Sequence, residues 1–278
     1  MNLLTVIWDV SAEMIHFTES YSIRYYGVLF ALGYVLSYYV LMYIFNKENL
    51  PISTLEKMTL AALIGGVLGS RLGHCFFYEP SVYLQNPLKI LFIWEGGLSS
   101  HGGSFGILIG FWVVLKKVEL NYLQILSRAM LVVPLAAVFI RLGNLMNSEI
   151  YGIPTDLPWG FVFAKSSAVL NGMEDAIPRH PTQLYEALAY LTTFIVLQVY
   201  AIKTLNKGKK LSDFFIIGVF FIGIFFSRFL IEFVKTPQVS FENNMVLDMG
   251  QWLSIPFIIA GIVSLVFCKK NYFSSGSI

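Results

Sequence analysis

The sequence predicts an all-α polytopic membrane protein: seven transmembrane helices, with a small extracytoplasmic head between helices four and five. Three observations predict it. Of the 278 residues, 56% are hydrophobic and only 13% are charged, against roughly 25% charged in a soluble domain. Apolar runs near the ~20 residues needed to cross a bilayer core recur along the chain. The Lys and Arg residues between these runs crowd into every other loop.

The runs lie near 24–45, 58–78, 102–118, 122–146, 183–203, 213–235 and 249–268. The first opens on Tyr25 and Tyr26. The second carries Gly65, Gly69 and Gly73, and the short third carries Gly102, Gly106 and Gly110. Such rows of small residues predict close helix packing. In the fourth, Pro134 predicts a kink that neighbouring helices tolerate. No inverted repeat of the transporter kind is visible. Residues 1–22 have no basic n-region, so no signal peptide is expected. Cys75 and Cys268 fall in apolar runs and read as small buried hydrophobes. Neither a disulfide nor a metal site is expected from them, and no cofactor is implied. The net charge of +2 gives no reason to expect nucleic acid.

Loop charge sets direction. Lys47, Lys57, Lys116, Lys117, Lys203, Lys207, Lys209 and Lys210 fall on one side, with Lys269 and Lys270 at the C-terminal end. The other side holds Lys89, Lys165, Arg179 and Lys235, with Arg24 at a border, and the first segment adds Asp9, Glu13 and Glu19. The N-terminus is therefore expected outside and the C-terminus inside. Residues 147–182 fall outside, and at ~35 residues they exceed an ordinary connection. They read as a head inserted into a single membrane domain spanning 1–278.

On this map the polar residues of the spans gather near the outer ends: Arg71, His74, His101, Arg141, Asn144, His180, Gln183, Arg228 and Glu232. The inner halves read as nearly apolar. An arginine at the membrane centre costs ~2.5–3.5 kcal/mol on insertion scales, so several imply a use. One use is structural, pairing helices through carboxylates. Arg228 and Glu232, spaced i, i+4, suit such pairing, whereas Arg71 and Arg141 have no local partner. The other use is an outward polar cavity for an anion, and an arginine fork fits phosphate best. At that depth the nearest phosphate belongs to a phospholipid headgroup. His101 adds a group that exchanges a proton near neutral pH. "GGSFG" at 102–106 matches a nucleophile elbow, but that motif needs a strand–turn–helix setting, and Ser104 here opens a membrane helix.

Six stretches in order carry a family resemblance: "YYG" at 25–27, "GSRLGH" at 69–74, "WEGGLSSHGG" at 94–103, "RLGNLMNSEIYG" at 141–152, "RHPTQLYEAL" at 179–188 and "SRFLIEFVK" at 227–235. Together they resemble the bacterial prolipoprotein diacylglyceryl transferases over about residues 22–268. The resemblance implies a seven-helix inner-membrane enzyme working toward the outer side. Its substrates would be phosphatidylglycerol and a prolipoprotein signal peptide with its lipobox cysteine, and glycerol phosphate would be released. Carried over by motif, Arg141 and Arg228 contact the lipid phosphate and His101 helps generate the thiolate. Tyr26, Asn144, Glu149, Gly152 and Glu232 fall on positions that matter for the substrate. Lys235 stands where the family often has arginine. Two rival readings, an anion transporter and an intramembrane hydrolase using Ser104, fit the inner halves and the helix context less well.

Overall fold

The structure, a computed structural model, describes residues 5–18, 21–93, 96–236 and 245–274, with only the backbone at 18, 21 and 270–274. Glu19, Trp94 and Glu95 from the sequence analysis lie outside those residues, as does the side chain of Lys270. The described chain is mostly helical and divides into two compact units, 1–40 with 130–278, and 41–129.

Helix α1 (Tyr25–Glu48) leads into α2 (Ile52–Phe77), short α3 (Pro80–Gln85), a 3-10 turn (Pro87–Leu91), α4 (Ser100–Leu115) and α5 (Tyr122–Met130). Then follow α6 (Val133–Met146), short α7 (Ser167–Leu170), α8 (Thr182–Asn206), α9 (Asp213–Phe221), a π-helical segment (Ile222–Phe226), α10 (Ser227–Glu232) and α11 (Met249–Ser274). Four short strands join them: β1 (Val6–Trp8), β2 (Glu13–Thr18), β3 (Tyr21–Arg24) and β4 (Phe161–Phe163). β2 and β3 form an antiparallel hairpin.

All seven predicted runs carry helix, but they are not equal. Five helices are long and apolar enough to cross a membrane: 25–48, 52–77, 182–206, 213–232 and 249–269. The pair α5 and α6 makes a sixth if counted as one broken span. α4 has 16 residues, about 24 Å at helical rise, short of a ~30 Å hydrocarbon core. The protein is thus a multi-pass membrane protein with five or six helices of spanning length among the described residues.

Pro134 behaves differently from the expectation. It does not kink a continuous helix; the helix breaks at residues 131–132 and Pro134 sits in the first turn of α6, where its missing N–H costs nothing. The freed carbonyls find side chains. Gln198 Nε2 donates to Leu131 O at 2.8 Å, and Ser37 Oγ to Val132 O at 3.4 Å.

In the 41–129 unit the glycine rows pack backbone on backbone. A Cβ at Gly65 or Gly106 would strike the other's main chain, and Gly69 and Gly102 meet in the same way. Ser104 sits inside α4 with its hydroxyl donating to Ser100 O at 3.1 Å, so no nucleophile elbow is formed. Arg71, read from sequence as part of an anion wall, is instead a loop anchor. Its guanidinium donates to the carbonyls of Ile90 (2.9 Å), Gly96 (2.6 Å) and Lys89, and lies over the Tyr83 ring.

In the other unit α6 and α8 pack through Val138, Ala187 and Tyr190. Gly223 in the π segment leaves no room for a side chain beside Thr193 of α8. Residues 147–182 are tied to the chain's start. β1 pairs in parallel with β4, with Ile7 opposite Val162, and Trp8 donates from its indole to Leu145 O at 3.0 Å.

Candidate functional site

α6 ends at Met146, and the next turns are strained. Ser148 and Ile150 have φ of 51° and 60°, the left-handed region, which a β-branched residue such as isoleucine rarely enters. The first turn of α8 holds this loop in place. Gln183 Nε2 donates to Glu149 O at 2.7 Å, and Thr182 Oγ1 to Ile150 O at 2.8 Å. Such strain persists only where surrounding contacts over-determine it. Gly152 closes the loop. Its N–H donates to His180 O at 2.8 Å, and a Cβ there would run into Val234 O, His180 and Thr182.

Inside this frame a chain of polar side chains runs from α6 to α10. Arg141 Nη1 donates to Asn144 Oδ1 at 3.1 Å. Asn144 and Asn147 both donate to Glu149 Oε1, at 2.7 and 3.1 Å. Arg141 Nε lies 2.8 Å from Glu186 Oε2, and Glu186 is fully buried. Lys235 Nζ stands 3.7 Å from Glu186 Oε1 and 3.3 Å from Glu232 Oε2. Tyr26 packs its ring on Gly143, within electrostatic reach of Arg141 and Glu149. Tyr190 of α8 lies within electrostatic reach of both Arg141 and Arg228.

The network is not closed. Neither oxygen of Glu186 receives an aligned hydrogen bond, despite the short Arg141 contact. Gln183 Oε1, Asn147 Oδ1 and Ser148 Oγ have no partner among the described residues, and neither has Arg228 Nε. A buried orphan of this kind costs about 1–3 kcal/mol, and fixed donors left open are what a charged ligand uses. The i, i+4 pairing expected between Arg228 and Glu232 is not formed; Lys235 takes Glu232 instead. Arg141, which has no local partner by spacing, has a carboxylate in Glu186 of another helix; a partner of that kind is invisible to spacing along one helix.

At the loop's far side Trp159 Nε1 donates to the Tyr185 hydroxyl at 2.9 Å. That hydroxyl stands 3.2 Å from His180 Nδ1. Burial pushes the His180 pKa down from the ordinary imidazole value.

This geometry coincides with a match to known proteins. A family model described as prolipoprotein diacylglyceryl transferase covers residues 13–267. The chain belongs to the prolipoprotein diacylglyceryl transferase family. It is 41% identical over 281 residues to the phosphatidylglycerol–prolipoprotein diacylglyceryl transferase of Bacteroides fragilis, covering 97% of each chain. The protein of that name from Tolumonas auensis is 41% identical over 251 residues, covering 90% of this chain and 93% of the relative. That from Porphyromonas gingivalis is 40% identical over 274 residues, covering 96% and 95%. The family is one of transferases, and the strained loop just described lies within the stretch at 141–152 that carries the resemblance.

Of the residues singled out from sequence, Tyr26, Arg141, Asn144, Glu149, Gly152, Arg228 and Glu232 all belong to the unit formed by 1–40 and 130–278. His101 belongs to the other unit, exposed in the first turn of α4, whose N-cap Ser99 accepts from Gly102 N. Glu186, Lys235 and Tyr190 were missed as members of this transferase-family cluster. Glu186 lies within "QLYEAL", where one acid in an apolar stretch carried a signal that went unused.

Proposed function

We propose that the protein moves the diacylglyceryl group of phosphatidylglycerol onto the lipobox cysteine of a prolipoprotein. The observation that carries the proposal is Arg228: a half-buried residue whose Nε is buried with no partner among the described residues, and which shares Tyr190 with an Arg141 held by Asn144 and Glu186. The near full-length match to relatives bearing that activity in their names supports it.

In the proposed step the cysteine thiolate attacks the headgroup-proximal glycerol carbon of the lipid. An S–C bond forms, the C–O bond to phosphate breaks, and glycerol phosphate leaves with the electron pair. Negative charge grows on the departing phosphate, and Arg141 and Arg228 stabilise it most in the transition state. Glu149 and Asn144 orient Arg141, and Gly152, Tyr26 and Glu232 shape the substrate site. A free thiol titrates near pKa 8.5, so a base is required. His101 takes that proton in this reading. The proposed architecture has seven spans in a single membrane domain, the N-terminus outside, the C-terminus cytoplasmic, and 147–182 as an extracytoplasmic head beside the site.

The test incubates the purified protein with phosphatidylglycerol and a lipobox peptide. The expected result is a diacylglyceryl mass gain on the peptide cysteine; an unmodified peptide overturns the proposal. His101→Gln is expected to slow transfer most at low pH and to displace the acid limb of the pH–rate profile. An unchanged profile removes His101 as the base.

A further inference from the structure

Lys235 is the one cation of the cluster that the proposed reaction does not use, and its side chain is only 4% exposed. Its backbone is fixed on both sides: Ile153 N donates to Val234 O at 3.0 Å, Lys235 N to Glu232 O at 3.1 Å, and Thr236 N to Tyr151 O at 3.3 Å. Lys235 and Gly152 form an isolated bridge. The ammonium is thus delivered by the segment bridged to Gly152 to a point between two carboxylates, Glu232 at 3.3 Å and Glu186 at 3.7 Å.

Glu186 faces a cation on each oxygen, Arg141 on Oε2 and Lys235 on Oε1. A fully buried carboxylate needs its whole charge compensated. If Lys235 supplies part of that, Arg141 engages Glu186 through Nε alone and keeps its terminal nitrogens for Asn144, Tyr190 and a ligand. If Lys235 is lost, the carboxylate draws the guanidinium into a two-pronged pair, the geometry such groups prefer. We propose that Lys235 is a positioning residue for Arg141, acting through Glu186 to keep the guanidinium turned toward the substrate phosphate. The inference rests on the phosphate role proposed above for Arg141.

The test compares wild type, Lys235→Met, Glu186→Gln and the double variant, each as the full chain in lipid nanodiscs. Both transfer and retention of phosphatidylglycerol by native mass spectrometry are read. Lys235→Met is expected to lose about a hundredfold in kcat/KM, the scale of an ångström-level misplacement. Removing the carboxylate's charge as well is expected to restore about tenfold, as coupled neighbours do. In the Glu186→Gln background the lysine has only Glu232 left to balance and no longer acts on Arg141, so adding Lys235→Met changes the rate by less than about threefold. A double variant no better than Lys235→Met overturns the proposal. So does a large further fall in the Glu186→Gln background, which would mean that Lys235 meets the substrate directly. Should Lys235→Met fail to fold, the comparison within the Glu186→Gln background decides. If wild type transfers nothing, the functional reading fails, and lipid retention across the four proteins still tests the positioning: the same pattern supports it, equal retention overturns it.

Discussion

Two buried clusters of charge in this protein are built to opposite ends. In the 41–129 unit, Arg128 and Glu48 form a closed fork: Nε to Oε2 at 2.8 Å and Nη2 to Oε1 at 2.6 Å, with Nη1 donating to Ser127 Oγ at 2.8 Å. Their side chains are 5% and 9% exposed. In the other unit, Arg141, Arg228 and Lys235 are set among Glu149, Glu186 and Glu232, with an open Nε on Arg228 and no aligned hydrogen bond to either oxygen of Glu186. Both clusters pay the desolvation of ions. Only the first recovers it within the chain, through two aligned bonds in one plane. The difference separates a lock between helices from a site that leaves donors available.

Substitution should divide the two clusters by what fails. Arg141→Ala is expected to cut transfer by about a thousandfold, the upper scale for one fixed charge-stabilising donor. Tm should fall less than in the Arg128→Met variant, because Lys235 still faces Glu186 and supplies part of its compensation. A large Tm loss with residual turnover per folded molecule would make Arg141 a lock too. Arg128→Met should show the reverse. It strands Glu48 in a buried position, a loss of about 3–5 kcal/mol, read as a lower Tm and yield while turnover per folded molecule is kept. Adding Glu48→Gln should recover most of that stability, since a neutral pair carries no stranded charge. A double variant as unstable as the single one would show that packing, not charge, sets the loss.

The same comparison explains what the sequence made legible. Apolar spans and glycine rows are periodic or compositional, so they survive reading along one dimension; the backbone contact of Gly65 with Gly106 is the clearest case. Arg141 and Asn144 were visible because polar groups in an apolar run stand out. Their partners were not. Glu186 and Lys235 reach Arg141's neighbourhood from α8 and from the segment after α10, and such pairings depend on packing. Arg71 looked like part of an anion wall for the same reason: its acceptors are backbone carbonyls at 89, 90 and 96, which no residue type announces. Arg128, inside the run at 122–146, escaped notice in the same way, and it pairs with Glu48 at the end of α1. The break before Pro134 depends on acceptors finding Gln198 and Ser37, again a matter of packing.

The smallest expected effect sharpens the comparison most, because it concerns strain. Ser148 holds φ of 51° with a hydroxyl that is buried and unpartnered. A residue so placed costs about 1–3 kcal/mol. Glycine tolerates the conformation and removes the orphan hydroxyl, at an entropic cost of about 0.5–1 kcal/mol. Ser148→Gly is therefore expected to gain about 1 kcal/mol net, or about 2–4 °C in Tm for a chain of this size. Its neighbours Asn147 and Glu149 share the loop whose carboxylate Asn144 holds. A looser backbone there should slow turnover several-fold even as Tm rises, the usual opposition of stability and activity at a strained site. The closed cluster offers a control: Ser127, whose hydroxyl is used by Arg128, should only lose stability on substitution by glycine. If Ser148→Gly raises Tm and leaves kcat untouched, the strain belongs to the fold alone, and the open charges of the site act without it.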